Sequence, residues 1–382
     1  MTYSSPEPGL RGCTGGRVLI AAGGTGGHIF PGLAVAEELR QRGGPGNGWR
    51  IEFVGTGRPL ESRVIAPAGF PLHAVAAAGL KGIGGWQKAR NLMILPHSFW
   101  DGAQLLRGLR PDVVVGLGGY VAGPLLLEAW LAGVPTLLIE PNAAPGFTNR
   151  VLVPFIRVAA LGFEEAAPFY GAKARVTGHP VRAAFHAISA RRPAAPFTLL
   201  ILGGSQGSTA INSAVTGALC ELAREAASLR IIHQTGERDF KRVCQAYSDA
   251  GIEADVRPFI DDVASVFERA DLVLCRSGAS TVAELATAGR ASVLVPFAAA
   301  TDNHQLANAR VLEHAGGARV IEQQDLTPER LAGEIHSLIE HPEILEAMGG
   351  RARSLARPDA AAQIANLIDG LARQARGLKT RN

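Results

Sequence analysis

Aromatic residues are scarce in this chain. Phe, Trp and Tyr together make up 6% of it, too few for a protein that reads single-stranded nucleic acid by stacking on bases. Charge is also thin: 19% of residues are charged and the formal net charge is +4. That balance is compatible with anionic partners but leaves no basic footprint for nucleic acid, and none is expected as a partner. There are four cysteines, Cys13, Cys220, Cys244 and Cys275, and no two of them form a CxxC pair. A disulfide framework and a thiolate zinc site are thereby disfavoured, no metal site is indicated, and a reducing compartment is expected. No uninterrupted apolar run approaches the ~18–20 residues of a membrane span. The opening stretch, residues 1–16, is polar and rich in Gly and Pro, without the apolar centre of a signal peptide. It reads as a flexible tail on a cytoplasmic protein, with attachment to a membrane surface left open.

Glycine is plentiful. The chain has 46 Gly in 382 residues, well above the usual ~7%, with no collagen period. The glycines cluster at the ends of apolar runs, as expected where a backbone turns tightly or approaches a ligand closely.

Short β-branched runs alternate with longer amphipathic stretches. Strands are expected at 17–22, 51–54, 112–115, 136–139 and 157–160, then at 197–202, 230–234, 271–275 and 292–295. A helix is expected from Pro31 to Leu39, ended by Gly43 and Gly44. Such alternation implies βαβ units and parallel sheets covered by helices. The segment Arg191-Arg192-Pro193-Ala194-Ala195-Pro196 interrupts the rhythm and reads as a linker. After it the opening repeats: apolar strand, Gly-Gly-x-x-Gly, helix. The expected organisation is therefore a tail at 1–16, a Rossmann-like domain at 17–190, a second at 191–357, and a C-terminal helix and tail at 358–382 that could pack on either.

Several strand-end segments carry chemistry. Gly23-Gly24-Thr25-Gly26-Gly27-His28 lacks both the usual GxGxxG register and the Gly-Lys-Ser/Thr of a Walker A loop. His28 lies at the carboxyl edge of the first strand, where open α/β sheets bind ligands, and a functional role is favoured over capping or packing. In Gly203-Gly204-Ser205-Gln206-Gly207-Ser208, Ser208 suits a helix N-cap, and Ser205 suits ligand contact at least as well as capping. In Arg276-Ser277-Gly278-Ala279-Ser280-Thr281-Val282-Ala283-Glu284, the amides of a helix start suit a diphosphate. Glu284 there suits either ribose hydroxyls or simply the positive end of the helix dipole. Asp302, His304 and Gln305 would suit sugar hydroxyls, but by composition alone a solvated helix start with Asp302 as its cap is the favoured reading. Asn142 suits a ligand or an Asx turn. Arg182 suits a phosphate, a carboxylate or an interdomain salt bridge.

Taken in order, Gly-Gly-Thr-Gly-Gly-His-Ile-Phe-Pro-Gly (23–32), Gly-Leu-Gly-Gly-Tyr-Val-Ala-Gly-Pro (116–124), Gly-Gly-Ser-Gln-Gly (203–207), Phe-Ile-Asp-Asp (259–262) and Arg-Ser-Gly-Ala (276–279) with Glu284 resemble the MurG family, the peptidoglycan N-acetylglucosaminyltransferases. The resemblance spans about residues 17–375. It implies an α/β GT-B fold, two Rossmann-like domains with parallel sheets facing across a cleft. It also implies an inverting, metal-independent glycosyltransferase without a cofactor. Such an enzyme moves GlcNAc from UDP-GlcNAc to the C4 hydroxyl of MurNAc in undecaprenyl-pyrophosphoryl-MurNAc-pentapeptide (lipid I), forming lipid II. Carried over position by position, donor-binding residues are Thr25, Gly26, Gly27, Asn142, Arg182, Ser205, Ile260, Ala279, Ser280, Thr281, Val282, Ala283, Glu284 and Gln305. Ile260 would meet uracil through its backbone, Glu284 the ribose, Thr281 and nearby amides the phosphates, and Gln305 the sugar. Gly118, Gly119 and Tyr120 would lie on the acceptor side. Two positions depart from the family's usual pattern: Pro141 stands where glutamine is frequent, and His179 where asparagine is.

UDP is a good leaving group once its developing charge is met, and helix-start amides can meet it. The acceptor hydroxyl needs a base, and His28 is the expected one, since histidine is the side chain type suited to proton transfer near neutral pH; a phosphate-binding role is its competitor. A polyprenyl acceptor places the work at the cytoplasmic face of the bacterial inner membrane. The stretch containing Leu80, Lys81, Ile83, Trp86, Lys88 and Arg90 mixes apolar and basic residues, as expected of a patch docking on anionic lipid; a core helix with snorkelling charges would look similar. Two other readings stay open: another UDP-sugar enzyme such as a UDP-GlcNAc epimerase, and a non-catalytic nucleotide-sugar-binding protein.

Overall fold

The structure, a computed structural model, describes residues 16–23, 26–43, 48–75, 95–190, 196–222, 229–300 and 303–379. The strands are β1 (Arg17–Ala21), β2 (Arg50–Gly55), β3 (Leu72–Ala74), β4 (Val113–Gly116), β5 (Thr136–Glu140), β6 (Val158–Leu161) and β7 (Ala174–Val176), followed by β8 (Phe197–Leu202), β9 (Leu229–Gln234), β10 (Ala254–Arg257), β11 (Leu272–Cys275), β12 (Ala291–Leu294) and β13 (Ala318–Val320). They form two sheets, ordered β3-β2-β1-β4-β5-β6-β7 and β10-β9-β8-β11-β12-β13. The pairings are parallel; Leu19 lies opposite Val114, and Leu202 opposite Gln234. Each sheet is doubly wound, with the order reversing beside β1 or β8. That reversal opens a crevice at the carboxyl edge, where such sheets take ligands.

The inner strands are buried on both faces, which is why they read as continuous apolar runs. In β8, Leu199 and Ile201 enter one core and Leu200 and Leu202 the other; in β11, Leu272 and Leu274 part from Val273 and Cys275 in the same way. All nine expected strands are present within a residue or two of their expected bounds. Four strands were not foreseen, β3, β7, β10 and β13, and all four are sheet edges. They are short and only partly buried, so they need no apolar run. Side chains help hold one of them: His73 on β3 meets the buried Glu52 of β2 at 2.6 Å.

One helix starts earlier than expected. It runs Gly26–Arg42, so Pro31 lies inside it rather than opening it. Proline lacks the N–H that would bond the carbonyl four residues back, here Gly27. The helix nevertheless forms, because Ile29, Val35, Ala36 and Leu39 bury one face in the first core. That packing outweighs a local defect.

By contacts, the chain divides into two compact units. One comprises Met1–Ile139, Val151–Ala160 and Ala361–Asn382; the other comprises Glu140–Arg150 and Leu161–Ala360. The last helix, Ala360–Lys379, resolves the choice the sequence leaves open. Its Ile364, Ala365, Ile368 and Ala372 share the first unit's core with Val18 and Ile20. Trp49 Nε1 donates to Asp369 at 3.1 Å, and Arg42 reaches both Asp369 and Asn366.

Candidate functional site

In the first unit, the chain leaves β1 and enters the Gly26–Arg42 helix within a few residues, which puts His28 in the first helical turn. Its Nδ1 lies 3.3 Å from the Gly23 carbonyl. When Nδ1 donates that bond, the lone pair sits on Nε2. Gly119, first residue of the Gly119–Leu131 helix, lies against this ring: a Cβ there would be 3.6 Å from His28 Cε1 and Nδ1. Gly118 and Gly119 both have positive φ, 94° and 76°, a turn that side-chain-bearing residues resist. So the structure brings together His28, Gly118 and Gly119 at the ends of β1 and β4, with Tyr120 second in the following helix. Gly26 and Gly27 open the His28 helix and present its unbonded amides. Thr25 and the apolar-basic residues Leu80, Lys81, Ile83, Trp86, Lys88 and Arg90 lie outside the described residues, as does Asp302.

The other described candidates all fall in the second unit. The Ala279–Ala288 helix opens directly after β11, with Gly278 at its N-cap and Val282 N → Gly278 O as its first closing bond. The amides of Ala279, Ser280 and Thr281 precede that bond and form the positive end of the helix. Ser280 Oγ lies 3.0 Å from His179 Nε2. Val282 is buried at 2% exposure, so its side chain belongs to the core. Glu284 is almost fully buried; burial pushes its carboxyl above the usual range, opposed by the charge and hydrogen bond of Arg182. Arg182 NH2 donates to Glu284 Oε1 at 2.7 Å, and its guanidinium lies 4.9 Å from the Phe185 ring centre. Of the partners open to Arg182 in the sequence, it takes the carboxylate, and that carboxylate is in its own unit.

Asn142 is tied at both ends of its amide. Its Nδ2 donates to Glu140 Oε1 at 3.3 Å, and its Oδ1 accepts from Asn308 Nδ2 at 3.1 Å. Glu140 is completely buried. Burial raises its carboxyl, and donors from Asn142, Asn149 and Tyr170 counter the rise. Asn308 Oδ1 accepts from Ala143 N, its Nδ2 also reaches the Ser277 carbonyl, and Ser277 Oγ donates to the Gln305 carbonyl. A continuous polar chain thus links Asn142 to Gln305. Gln305 Oε1 in turn accepts from Phe297 N at 3.0 Å. Arg276 NH1 donates to the carbonyls of Val295 and Pro296; burial lowers its guanidinium to about 10. Gln305 and Arg276 together brace the loop after β12.

The glycine loop after β8 is built backbone against backbone. Gly207 has φ 74°, and a Cβ there would stand 1.9 Å from the Thr235 carbonyl. Ser208 caps the Thr209–Gly217 helix by accepting from Ile211 N at 3.3 Å, the role its position suggests. Ser205 is exposed at the loop tip. Ile260 is buried in the loop after β10, and its amide donates to Gln234 Oε1 at 2.9 Å.

Three members of this framework escape a reading of motifs: Asn149, Tyr170 and Gln234. Asn149 and Tyr170 carry no local signal; only the fold carries them to Glu140. Gln234 has a weak one, as a polar residue closing a strand that is otherwise largely buried.

Residues 18–160 match the family model described as the glycosyltransferase family 28 N-terminal domain, and residues 198–364 the family 28 C-terminal domain. A Myxococcus xanthus protein named UDP-N-acetylglucosamine--N-acetylmuramyl-(pentapeptide) pyrophosphoryl-undecaprenol N-acetylglucosamine transferase is 45% identical over 354 residues, covering 92% of each chain. A relative of the same name from Anaeromyxobacter sp. strain Fw109-5 is 46% identical over 362 residues, 94% of each. Among solved structures, Acinetobacter baumannii MurG superposes with a TM-score of 0.74 at 34% identity, over 93% of this chain and 99% of that one.

Proposed function

The chain belongs to glycosyltransferase family 28, and from that premise we propose that it transfers N-acetylglucosamine from UDP-N-acetylglucosamine to the muramyl C4 hydroxyl of undecaprenyl-pyrophosphoryl-MurNAc-pentapeptide. The observation that carries this reading is the start of the Ala279–Ala288 helix at the carboxyl end of β11, with a buried Glu284 held by Arg182 one turn inside it. That arrangement suits a nucleoside diphosphate. The helix-start amides of Ala279, Ser280 and Thr281 take the phosphates and stabilise charge as it develops on the leaving UDP. Glu284 is an acceptor for ribose hydroxyls, and Arg182 favours its ionised form against the burial that disfavours it. Ile260 offers its backbone to the uracil. Ser205 adds a hydroxyl at the glycine loop, and Gln305 offers Nε2 to sugar hydroxyls while Oε1 holds Phe297. Asn142 keeps one further Nδ2 proton for the donor. Gly26, Gly27 and Thr25 add backbone donors from the first glycine loop.

Transfer proceeds with inversion. The C4 oxygen attacks the anomeric carbon opposite the phosphate, the carbon–phosphate-oxygen bond breaks, and its electron pair leaves with UDP. His28 Nε2 takes the hydroxyl proton, with the Nδ1 proton held on the Gly23 carbonyl so that the lone pair is on Nε2. The Gly118-Gly119-Tyr120 turn shapes the acceptor side beside it.

The acceptor's polyprenyl tail sets the reaction at a membrane surface. Among the described residues no helix is long and apolar enough to cross a membrane. The chain is therefore proposed to dock peripherally at the cytoplasmic face of the inner membrane through Leu80, Lys81, Ile83, Trp86, Lys88 and Arg90, on anionic lipid.

The test is direct. The protein is incubated with sugar-labelled UDP-GlcNAc, with and without the muramyl lipid. Label is expected in the lipid only when the lipid is present, with one UDP released per sugar transferred. Binding of UDP-GlcNAc without transfer would instead indicate a non-catalytic nucleotide-sugar protein and end this reading.

A further inference from the structure

The carboxyl end of β9 carries a side chain that joins two proposed donor-binding loops. Gln234 is the last residue of that strand, lying opposite Leu202 of β8 and Arg257 of β10. It is 4% exposed. Its Nε2 donates to the Gly204 carbonyl at 2.9 Å, in the glycine loop after β8. Its Oε1 accepts from the Ile260 amide at 2.9 Å, in the loop after β10. A flipped amide would set nitrogen against N–H and oxygen against carbonyl, so these two partners determine its orientation. The glycine loop has other supports: Gly207 packs against the Thr235 carbonyl, and Gly207 N donates to Gly204 O at 2.9 Å. Gly204 has φ 85°, an exposed glycine with little side-chain packing to fix it. The next residue of β9's chain, Thr235, and then Gly236 bond the β10 side through Arg257 O and Pro258 O. Gln234 alone among these spans from the β8 loop to Ile260.

We propose that Gln234 is a positioning residue for the donor: it sets the spacing between the glycine loop that bears Ser205 and the Ile260 backbone that faces the base. This rests on the assignment of both loops to UDP-GlcNAc. With the Ile260 amide occupied by Gln234, the Ile260 carbonyl is the group left for the base, an acceptor suited to a base bearing a ring N–H donor. Replacing Gln234 removes two bonds that need no ligand to form: the Ile260 amide loses its partner, and the Gly204 carbonyl keeps the Gly207 amide at 2.9 Å but loses its tie to β9. The loss therefore falls on donor affinity and not on the chemical step.

The experiment compares wild type, Gln234→Leu and Gln234→Glu by calorimetric binding of UDP and by steady-state kinetics with UDP-GlcNAc and the lipid acceptor. Gln234→Leu is expected to raise the Kd for UDP and the KM for UDP-GlcNAc about tenfold, as the loss of one to two buried hydrogen bonds implies. Its kcat at saturating donor and its KM for the lipid acceptor are expected to stay within about twofold. Gln234→Glu keeps the acceptor for Ile260 but turns an oxygen on the Gly204 carbonyl, and is expected to lose donor affinity as well. Amide exchange in the unsubstituted, ligand-free protein gives a measurement that needs no variant: the Ile260 amide is expected to be protected. Unchanged UDP affinity in a folded Gln234→Leu protein, an equal fall in kcat with KM unmoved, or fast exchange at Ile260 would each overturn the proposal while leaving the donor site standing. Failure of the wild type to bind UDP at all would overturn both.

Discussion

The two units open with the same short pattern, an apolar strand, Gly-Gly-x-x-Gly and a helix, and the structure puts it to different uses. After β1 a helix starts at Gly26, and the product is a histidine in its first turn beside Gly23 and Gly119. After β8 the glycines form a separate loop. It turns through Gly204 and Gly207 at positive φ, packs on the Thr235–Gly236 backbone, is tied by Gln234, and ends in the Ser208 cap. One strand end presents a histidine side chain; the other presents backbone in a set shape. A glycine motif therefore states that the chain turns closely here, and the neighbours decide what the turn is for.

The sharpest way to break this contrast is His28→Ala. Loss of a general base is expected to lower kcat by about 10²- to 10⁴-fold, while calorimetric affinity for UDP and the unfolding midpoint stay near wild type. A turnover within a few-fold of normal would remove the base assignment and leave His28 as a binding group.

Next in size is Gly207→Ala. Its methyl would enter the Thr235 carbonyl, and φ is 74°, so the variant is expected to lose more than about 2 kcal/mol in urea unfolding. Gly119→Ala meets only ordinary contacts at 3.5 Å and beyond, and its cost is expected to be about 1 kcal/mol, from positive φ alone. Equal losses at the two sites would mean that the second loop is no more constrained than the first.

The helices behind the turns differ as well, and pH separates them. Glu128, in the Gly119–Leu131 helix, is buried, and neither carboxylate oxygen has a hydrogen-bond partner among the described residues. Burial, with the nearby Asp101 charge, pushes its carboxyl up to about 7 from an ordinary 4.5. Between those values the folded protein holds a proton that the unfolded chain has released. Stability is thus expected to fall as pH rises from about 4.5 to 7, by up to about 3 kcal/mol, and to level off above. Glu128→Gln is expected to abolish that slope, stabilising the protein at pH 8 and changing little at pH 4; urea melts across this range check it.

Smallest is Ser208→Ala, which removes a cap worth about 1 kcal/mol. Catalysis is expected to survive it, since the hydroxyl is turned to Ile211 N.

The legibility of the sequence tracked burial. Inner strands such as β8 and β11 are apolar on every residue because both faces are covered, so their runs stand out and their bounds follow. The edge strands β3, β7, β10 and β13 are half-wet, and a three-residue stretch such as Leu72–Ala74 resembles any loop. Helix starts were legible where a cap or a small-residue turn marks them, as at Gly278 and Ser208. They were misleading at Pro31, where a usual sign of a first turn sits in the second.

From the sequence alone came the class of fold, the two glycine-rich strand ends, and the ordered motifs from His28 to Gln305, because periodicity, turn chemistry and spacing are local. Tertiary structure decided the rest. It chose Glu284 as the partner of Arg182, brought Asn149 and Tyr170 to Glu140 and Asn308 to Asn142, sent the last helix to the first unit, and set Gln234 across two loops. Most of these contacts join residues far apart in the chain; the last helix is held by apolar burial, and the others by buried polar groups that must find one another.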